Sequence, residues 1–154
     1  TGFFYDLRVM SNGETKLMVE QGKAIEGSIP LWAGAATKDQ AEKVAATLLS
    51  ESAFNTKVPM PTVSKDNERY LPEKYWRGPV WLDQAYFAIK GLDNYGYGKE
   101  ATKLAKKVIA NAEGVTKPGV PLRENYNPET GAGLHCTNFS WTASVFYLLQ
   151  REFH

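Results

Sequence analysis

Residues 80–112 read VWLDQAYFAIKGLDNYGYGKEATKLAKKVIANA, and this stretch contains two consecutive helical patterns of different character. In the first, over residues 80–95, apolar residues fall on nearly every side of a helix. In the second, over residues 99–112, a stripe of alanine and aliphatic residues lies opposite a row of lysines. A helix that is apolar all round must be buried on all sides, whereas a one-sided helix also faces water. The pair therefore predicts an all-α fold in which inner and outer helices alternate.

The ends of the helices downstream of residue 78 are marked by residues with particular backbone preferences. Pro79 suits a first helical turn, because its missing N–H is not needed there. Gly96 and Gly98 end the same helix. Asn138 is expected to cap a last helix that runs to residue 153 and is apolar around most of its circumference.

The N-terminal end predicts a small β-hairpin. Residues 2–7 and 16–20 are short runs with aromatic and aliphatic residues, and Asn12-Gly13 lies between them. Asn-Gly between two such runs is a strong hairpin signal.

The middle of the chain predicts further helices and a long connection. Residues 29–36 are apolar and give a further short helix, and Thr37 and Gln40 have the spacing of a capping box ahead of an amphipathic helix. Residues 54–71 contain two prolines and follow neither a helical nor a strand period, so we expect a connection laid over the surface.

Composition and charge exclude several function classes. The 154 residues suffice for one domain, 43% are hydrophobic, and no apolar run approaches the ~20 residues of a bilayer span. Lys and Arg number 18 against 17 Asp and Glu, so no long-range field gathers nucleic acid or an anionic membrane. We therefore expect a neutral ligand, no nucleic acid and no membrane.

The single cysteine, Cys136, has no partner for an internal disulfide, and with His135 it supplies too few ligands for a zinc site. We interpret it as a small buried thiol. The first residue is Thr1 rather than Met, which suggests a piece of a longer protein, so the lack of a signal peptide does not indicate a compartment. A periplasmic or cytoplasmic bacterial location is expected.

Two polar and aromatic segments carry the candidate chemistry. Residues 123–131 read RENYNPETG and form a predicted loop between two apolar helical segments, where catalytic residues are commonly placed. Glu124 is the leading catalytic candidate. Residues 75–84 read YWRGPVWLDQ, in which aromatic faces suit the C–H faces of a pyranose and charged or amide groups suit its hydroxyls.

These two segments, together with three others in the same order, resemble the C-terminal part of glycoside hydrolase family 63. The other motifs are Gly2-Phe3-Phe4-Tyr5-Asp6, Glu26-Gly27-Ser28-Ile29-Pro30-Leu31 and Asn138-Phe139-Ser140-Trp141. The resemblance covers nearly the whole chain. It implies that residues 1–154 are a single piece of an (α/α)6 toroid, the C-terminal portion of a catalytic domain, with the small hairpin at its N-terminal end.

The resemblance also implies a mechanism. A glycosidic bond is broken when one carboxylic acid protonates the leaving oxygen while a second carboxylate attacks the sugar or deprotonates a water. Members of the family invert configuration, so Glu124 would be the general base. The general acid of the family is an Asp in an earlier part of the fold, and none of the 17 acids here matches its motif. The chain alone is therefore expected to be inactive.

The expected partners are an oligosaccharide or small α-glycoside, by resemblance an α-glucoside, and the rest of the catalytic domain. No cofactor or metal is expected, because proton transfer to and from water needs none. The candidate substrate-binding residues are Tyr75, Trp76, Arg77, Trp81, Tyr126 and Trp141.

Each candidate has a structural alternative. Large aromatic residues are buried well in any core. Glu124 could instead pair with Arg123, and Arg77 with an acid. Asp83 is expected to satisfy free N–H groups in the first turn of its helix, and Glu26 remains a weaker binding candidate.

Two other functions remain open. The chain could be a non-catalytic carbohydrate-binding domain. It could also belong to another toroid enzyme, such as a trehalase or a sugar epimerase. Trehalases share the pattern at Glu124–Asn127 but have a glycine-rich run where this chain has residues 131–135, GAGLH. An epimerase would need catalytic histidines, and the chain has only His135 and His154.

Overall fold

A computed structural model describes residues 1–153, and His154 lies outside the described residues. The described part contains five α-helices and two antiparallel β-hairpins. In chain order they are β1 (Leu7–Val9), β2 (Thr15–Leu17), α1 (Ile29–Trp32), α2 (Lys38–Leu48), α3 (Leu82–Asn94), α4 (Gly98–Asn111), β3 (Arg123–Tyr126), β4 (Gly133–Thr137) and α5 (Ser140–Glu152). Short 3-10 helices cover Val19–Gln21, Ile25–Ser28 and Tyr75–Arg77.

Helix α3 lies at the centre of the structure and contacts each of the other four α-helices. Its approach to α1 is close, because a Cβ placed on Gly91 would lie 2.9 Å from the Cβ of Leu31. Helix α4 instead buries one stripe, made of Ala101, Leu104, Ala105 and Val108. The predicted contrast between an inner and a one-sided helix is confirmed for this pair.

Helix α5 packs on α3 and α4 through Thr142, Val145 and Leu149. The opposite side keeps Trp141 and Tyr147 55% and 60% exposed. Within the described residues α5 is therefore buried on one side only, which differs from the prediction.

The predicted N-cap of α5 is wrong. Asn138 has a left-handed backbone with φ of 53°, and the extended residue Phe139 precedes the first helical turn without a side-chain cap. The helix consequently begins at Ser140.

The start of α3 also differs from the prediction. Pro79 and Val80 precede the helix instead of forming its first turn. Val80 exchanges two backbone hydrogen bonds with Tyr126, at 2.8 and 2.9 Å, and this pairing favours an extended backbone. The same pairing joins the beginning of α3 to strand β3.

The N-terminal hairpin is present but shorter than predicted and shifted along the chain. Leu7 lies opposite Leu17, and Gly13 in the connecting loop has the positive φ, 84°, that the Asn-Gly signal anticipates. Residues 2–6 lie outside the strand, because Phe3 turns into the core and stacks on Phe54 with ring centroids 5.7 Å apart.

The capping box of α2 is confirmed. The Thr37 hydroxyl accepts a hydrogen bond from the Gln40 N–H at 3.3 Å, and the Gln40 carbonyl oxygen accepts one from the Thr37 N–H at 2.8 Å. Helix α1 is a single turn and ends before residue 36, the predicted limit.

Residues 54–71 are irregular, as predicted, and residues 65–71 lie at the surface, but residues 54–64 are mostly buried. Phe54, Val58 and Met60 have no exposed surface. The segment is tolerated in the core because its backbone is paired: the Val58 N–H donates to Pro128 O at 3.0 Å, and the Met60 N–H donates to Phe54 O at 2.8 Å.

None of the helices within residues 1–153 has the length and apolar character needed to cross a bilayer.

Candidate active site

Glu124 lies on strand β3 rather than in a loop, which corrects the prediction. Strands β3 and β4 pair antiparallel, with Arg123 opposite Thr137 and Asn125 opposite Leu134. Two residues of β4, His135 and Cys136, therefore face the single residue Glu124. This irregularity is a β-bulge, a feature that re-aims side chains and occurs frequently beside active sites.

The Glu124 carboxylate is held in a nearly buried position. The residue is 8% exposed, and its Oε1 accepts a hydrogen bond from the Tyr75 hydroxyl at 2.8 Å. That hydrogen bond is the main reason why the pKa of Tyr75 is raised above its ordinary value. The Arg123 guanidinium donates to the carbonyl of His135 at 2.9 Å, so the alternative in which it pairs with Glu124 is not seen.

A stacked tryptophan pair lies next to Tyr75. The rings of Trp76 and Trp81 are parallel within 2°, with centroids 4.0 Å apart. Trp81 is 1% exposed and Trp76 is 43% exposed. Trp81 therefore lies beneath Trp76, and Trp76 offers the accessible aromatic surface of the pair.

The segment that carries these side chains is tightly fixed. It is a 3-10 turn, Tyr75–Arg77, in which Tyr75 has the unusual positive φ of 31°. The Gly78 N–H donates to the Thr62 hydroxyl at 2.9 Å, and a Cβ on Gly78 would lie 2.3 Å from the backbone oxygen of Leu71. A side chain at position 78 would therefore displace the turn.

Gly78→Ala is expected to destabilise the protein by about 1–3 kcal/mol, because the added methyl meets backbone atoms that cannot move aside cheaply. The measurement is the free energy of unfolding from urea denaturation. Gly98→Ala is the matched control, since its nearest neighbour is the flexible Asp93 side chain at 3.1 Å. Equal stability of the two variants would contradict the tight packing described here.

Arg77 lines a cavity of about 740 Å³ together with Asp6, Glu26 and Arg69, and neither Trp76 nor Trp81 lines it. The pKa of Glu26 is raised, mainly because the carboxyl is partly withdrawn from water and also because Asp6 repels its charged form, although part of the side chain remains exposed. Among residues 1–153 Arg77 forms no ion pair, so the alternative in which an acid neutralises it is not seen.

Tyr126 is buried, whereas Trp141 is 55% exposed. Tyr126 has no exposed surface, packs in the core, and its hydroxyl accepts a hydrogen bond from the Arg123 N–H at 3.1 Å. A side chain in this position cannot touch a substrate, so the predicted role of Tyr126 is corrected to a structural one. Trp141 lies in the first turn of α5 with its ring against Phe139, 5.4 Å between centroids, and the hydroxyl of the next residue, Thr142, donates to the Arg123 carbonyl at 2.7 Å.

Two residues near Glu124 were missed by the sequence interpretation. The ring of His135 meets Tyr75 edge-on, with centroids 5.2 Å apart, and its Nδ1 lies 2.8 Å from Oδ1 of the fully buried Asn125. His135 has a left-handed backbone with φ of 57°. No periodicity in the sequence marks a bulge. The only local signal is the pair of glycines just before His135, in the run GAGLH at residues 131–135, which suggests an irregular backbone there.

Two smaller expectations are also corrected. Cys136 is exposed on β4 instead of buried. Oδ1 of Asp83 is buried without a hydrogen-bond partner in the described part of the chain, and its Oδ2 accepts from the Gln84 amide at 3.2 Å, so the expected bonds to helix N–H groups are absent there. No group of three His, Cys, Asp or Glu side chains within residues 1–153 is arranged to hold a metal ion.

Comparison with known proteins places this chain in a family. The model of the mannosylglycerate hydrolase MGH1-like glycoside hydrolase domain matches residues 1–142. Mannosylglycerate hydrolase MGH1 from Selaginella moellendorffii is 36% identical over 122 residues, which are 77% of this chain and 23% of that protein. The chain thus spans about a quarter of the length of this relative.

Solved structures share the fold. The mannosylglycerate hydrolase of glycoside hydrolase family 63 from Thermus thermophilus, in complex with glucose, superposes with a TM-score of 0.76 and 29% identity, over 96% of this chain and 35% of that one. Neutral trehalase from Saccharomyces cerevisiae gives a TM-score of 0.74 over 97% of this chain and 26% of that one, and at 23% identity it shows the fold alone.

Proposed function

The chain belongs to the family of MGH1-like glycoside hydrolase domains, and we propose that it supplies the general base, Glu124, for the inverting hydrolysis of an α-glycosidic bond. The observation that carries this proposal is the position of the Glu124 carboxylate, which is nearly buried and hydrogen-bonded to Tyr75, whose ring in turn meets that of the exposed Trp76 edge-on, 6.0 Å between centroids. A carboxylate that is fixed on one oxygen beside an aromatic surface can activate a water next to a bound sugar.

The proposed reaction has two proton transfers, one from the attacking water to Glu124 and one from an acid to the leaving oxygen. Glu124 takes a proton from water, the water oxygen bonds to the anomeric carbon, and the bond to the leaving oxygen breaks. A carboxylic acid on the other side of the sugar gives its proton to that oxygen. In an inverting enzyme the two carboxyl groups are roughly 6.5–9.5 Å apart, which leaves room for the water.

We propose that this acid is an Asp supplied by another part of the same catalytic domain, of which this chain is the C-terminal portion. The complete domain would be an (α/α)6 toroid with α3 in its inner ring and α4 in its outer ring. In this arrangement the aromatic residues of α5 that are exposed here, Trp141 and Tyr147, would be covered by neighbouring helices.

The proposed substrate is a small α-glycoside. The resemblance to family 63 suggests an α-glucoside, and two of the relatives described above are named for mannosylglycerate. In both cases we place the sugar against Trp76, with Tyr75 and Arg77 beside it.

The test is to incubate the complete polypeptide with mannosylglycerate and with an aryl α-glucoside, and to follow the released sugar by NMR within the first minutes. We expect one of them to be hydrolysed with the β-anomer appearing first. Initial release of the α-anomer would show retention and contradict the role of Glu124 as general base. Binding of sugar without hydrolysis would favour the carbohydrate-binding alternative.

Trp76→Ala in the complete polypeptide is expected to raise KM about tenfold with a smaller change in kcat, because the ring contributes binding that the ground state and the transition state share. The assay is steady-state kinetics on the better substrate. Trp32→Ala is the matched control, since Trp32 is also 43% exposed but packs on Phe87 of α3. An unchanged KM in Trp76→Ala would remove this residue from the substrate site.

A further inference from the structure

We propose that Tyr75 is a positioning residue for Glu124, and that His135 holds Tyr75 in place. The inference rests on the proposed function of Glu124 as general base. It is based on a closed arrangement of four side chains, Glu124, Tyr75, His135 and Asn125, which we call the Glu124 circuit.

The first contact of the circuit, the hydrogen bond from Tyr75, gives the two carboxylate oxygens of Glu124 different roles. Oε1 accepts the Tyr75 hydroxyl at 2.8 Å, whereas Oε2 accepts no hydrogen bond from a side chain within residues 1–153. A carboxylate with one oxygen held cannot rotate freely, so its second oxygen keeps a constant direction. Oε2 is therefore the oxygen that receives the proton of the attacking water, while Tyr75 keeps its own proton.

The second link explains why Tyr75 needs support. The residue is 48% exposed and has a left-handed backbone, so its own burial does not fix the ring. Three rings meet it edge-on, with centroids 5.0 Å away for Trp81, 5.2 Å for His135 and 6.0 Å for Trp76. Edge-to-face contacts of this kind favour one orientation of the phenol, the one that reaches Glu124.

The third link holds His135. Its position in the bulge of β4 and its positive φ turn the ring away from the regular alternation of the strand. Its Nδ1 lies 2.8 Å from Oδ1 of the fully buried Asn125, and its carbonyl accepts a hydrogen bond from the Arg123 guanidinium at 2.9 Å. Because Asn125 is the next residue after Glu124, the circuit closes through the backbone of β3.

The raised pKa of Tyr75, caused mainly by its hydrogen bond to Glu124, agrees with this arrangement. The phenol stays protonated, and thus stays a donor, through the pH range in which a glycosidase works. Removing the negative charge in Glu124→Gln should lower the pKa of Tyr75 toward its ordinary value. A spectrophotometric titration of tyrosine ionisation measures this shift without any assay of activity, with the Tyr75→Phe/Glu124→Gln double variant as the reference.

The kinetic test uses Tyr75→Phe in the complete polypeptide, a change that removes only the hydroxyl. We expect kcat to fall about 10- to 100-fold, as for loss of a hydrogen bond to a charged group, while KM changes little. In the Glu124→Gln background the same change should cause no further loss, because both substitutions act through one carboxylate. A raised KM with unchanged kcat would overturn the proposal in favour of simple substrate binding.

Two variants test whether His135 supports Tyr75, and they separate the ring contact with Tyr75 from the hydrogen bond to Asn125. His135→Phe keeps a ring and loses the bond to Asn125, and His135→Gln loses the ring. Each is expected to reproduce part of the kcat loss of Tyr75→Phe and to have no effect when Tyr75 is already Phe. Thr137→Ala, at an exposed position of β4 next to the bulge and opposite Arg123, is the control and should leave kcat unchanged.

The outcomes separate this inference from the proposed function. If Glu124→Gln retains normal turnover, the role of Glu124 itself is wrong. If Glu124→Gln is inactive but the losses from Tyr75→Phe and Glu124→Gln simply multiply, or the tyrosine titration does not change, only the positioning role of Tyr75 is overturned.

Discussion

Glu124→Gln in the complete polypeptide is expected to reduce kcat about 10³-fold, within the 10²- to 10⁴-fold range of general base catalysis, with little change in KM. The glutamine amide has the shape of the carboxylate, and its carbonyl oxygen can still accept the Tyr75 hydroxyl. It cannot take a proton from water. Because water activation serves only the transition state, substrate binding should survive.

The matched control is Glu129→Gln, which changes a carboxylate five positions further along the chain. Glu129 is exposed and lies 3.5 Å from Lys65, outside the Glu124 circuit. A surface pair of this kind contributes little to stability. Near-normal turnover in Glu124→Gln, or an equal loss in both variants, would contradict the proposed role.

The isolated chain of 154 residues is expected to show no hydrolysis of mannosylglycerate or of an aryl α-glucoside. One carboxylate can activate the water, but the leaving oxygen then departs without a proton, and both steps are needed for efficient cleavage. The measurement is release of sugar over many hours at high protein concentration, with the complete polypeptide as the positive control.

Far-UV circular dichroism of the same sample separates a missing acid from a missing fold. A helical spectrum with no turnover is the expected result. Should the chain alone prove unfolded, adding the remainder of the catalytic domain as a second polypeptide is expected to restore activity. Clear turnover by the isolated chain would show that the general acid lies among its own residues.

The helices were largely predictable because their signals are local. The apolar pattern and the flanking glycines predict α3 and α4 to within about two residues of their ends, and the Thr37 capping box marks the start of α2. The predicted start of α3 at Pro79 failed for a non-local reason, since Val80 pairs with Tyr126 on a strand far along the chain.

The sequence indicated which segments carry the candidate site but not the geometry of that site. Arg-Glu-Asn-Tyr-Asn has a weak intrinsic strand preference, and β3 forms because β4 and Val80 pair with it. Sequence alone also cannot separate an aromatic residue of the core from one at the surface, so the candidate binding residues included both the buried Tyr126 and the exposed Trp76. The Tyr75 to Glu124 hydrogen bond joins residues 49 positions apart, and no spacing rule anticipates it.

The most direct test of Glu124 as general base is a crystal structure of the complete polypeptide with an unreactive glycoside. We predict a water in contact with Glu124 Oε2 and in line with the anomeric carbon, Tyr75 still bound to Oε1, and a second carboxyl group about 6.5–9.5 Å from Glu124. A Glu124 carboxyl remote from the sugar, or one about 5 Å from the second carboxyl with no space for water, would contradict this role.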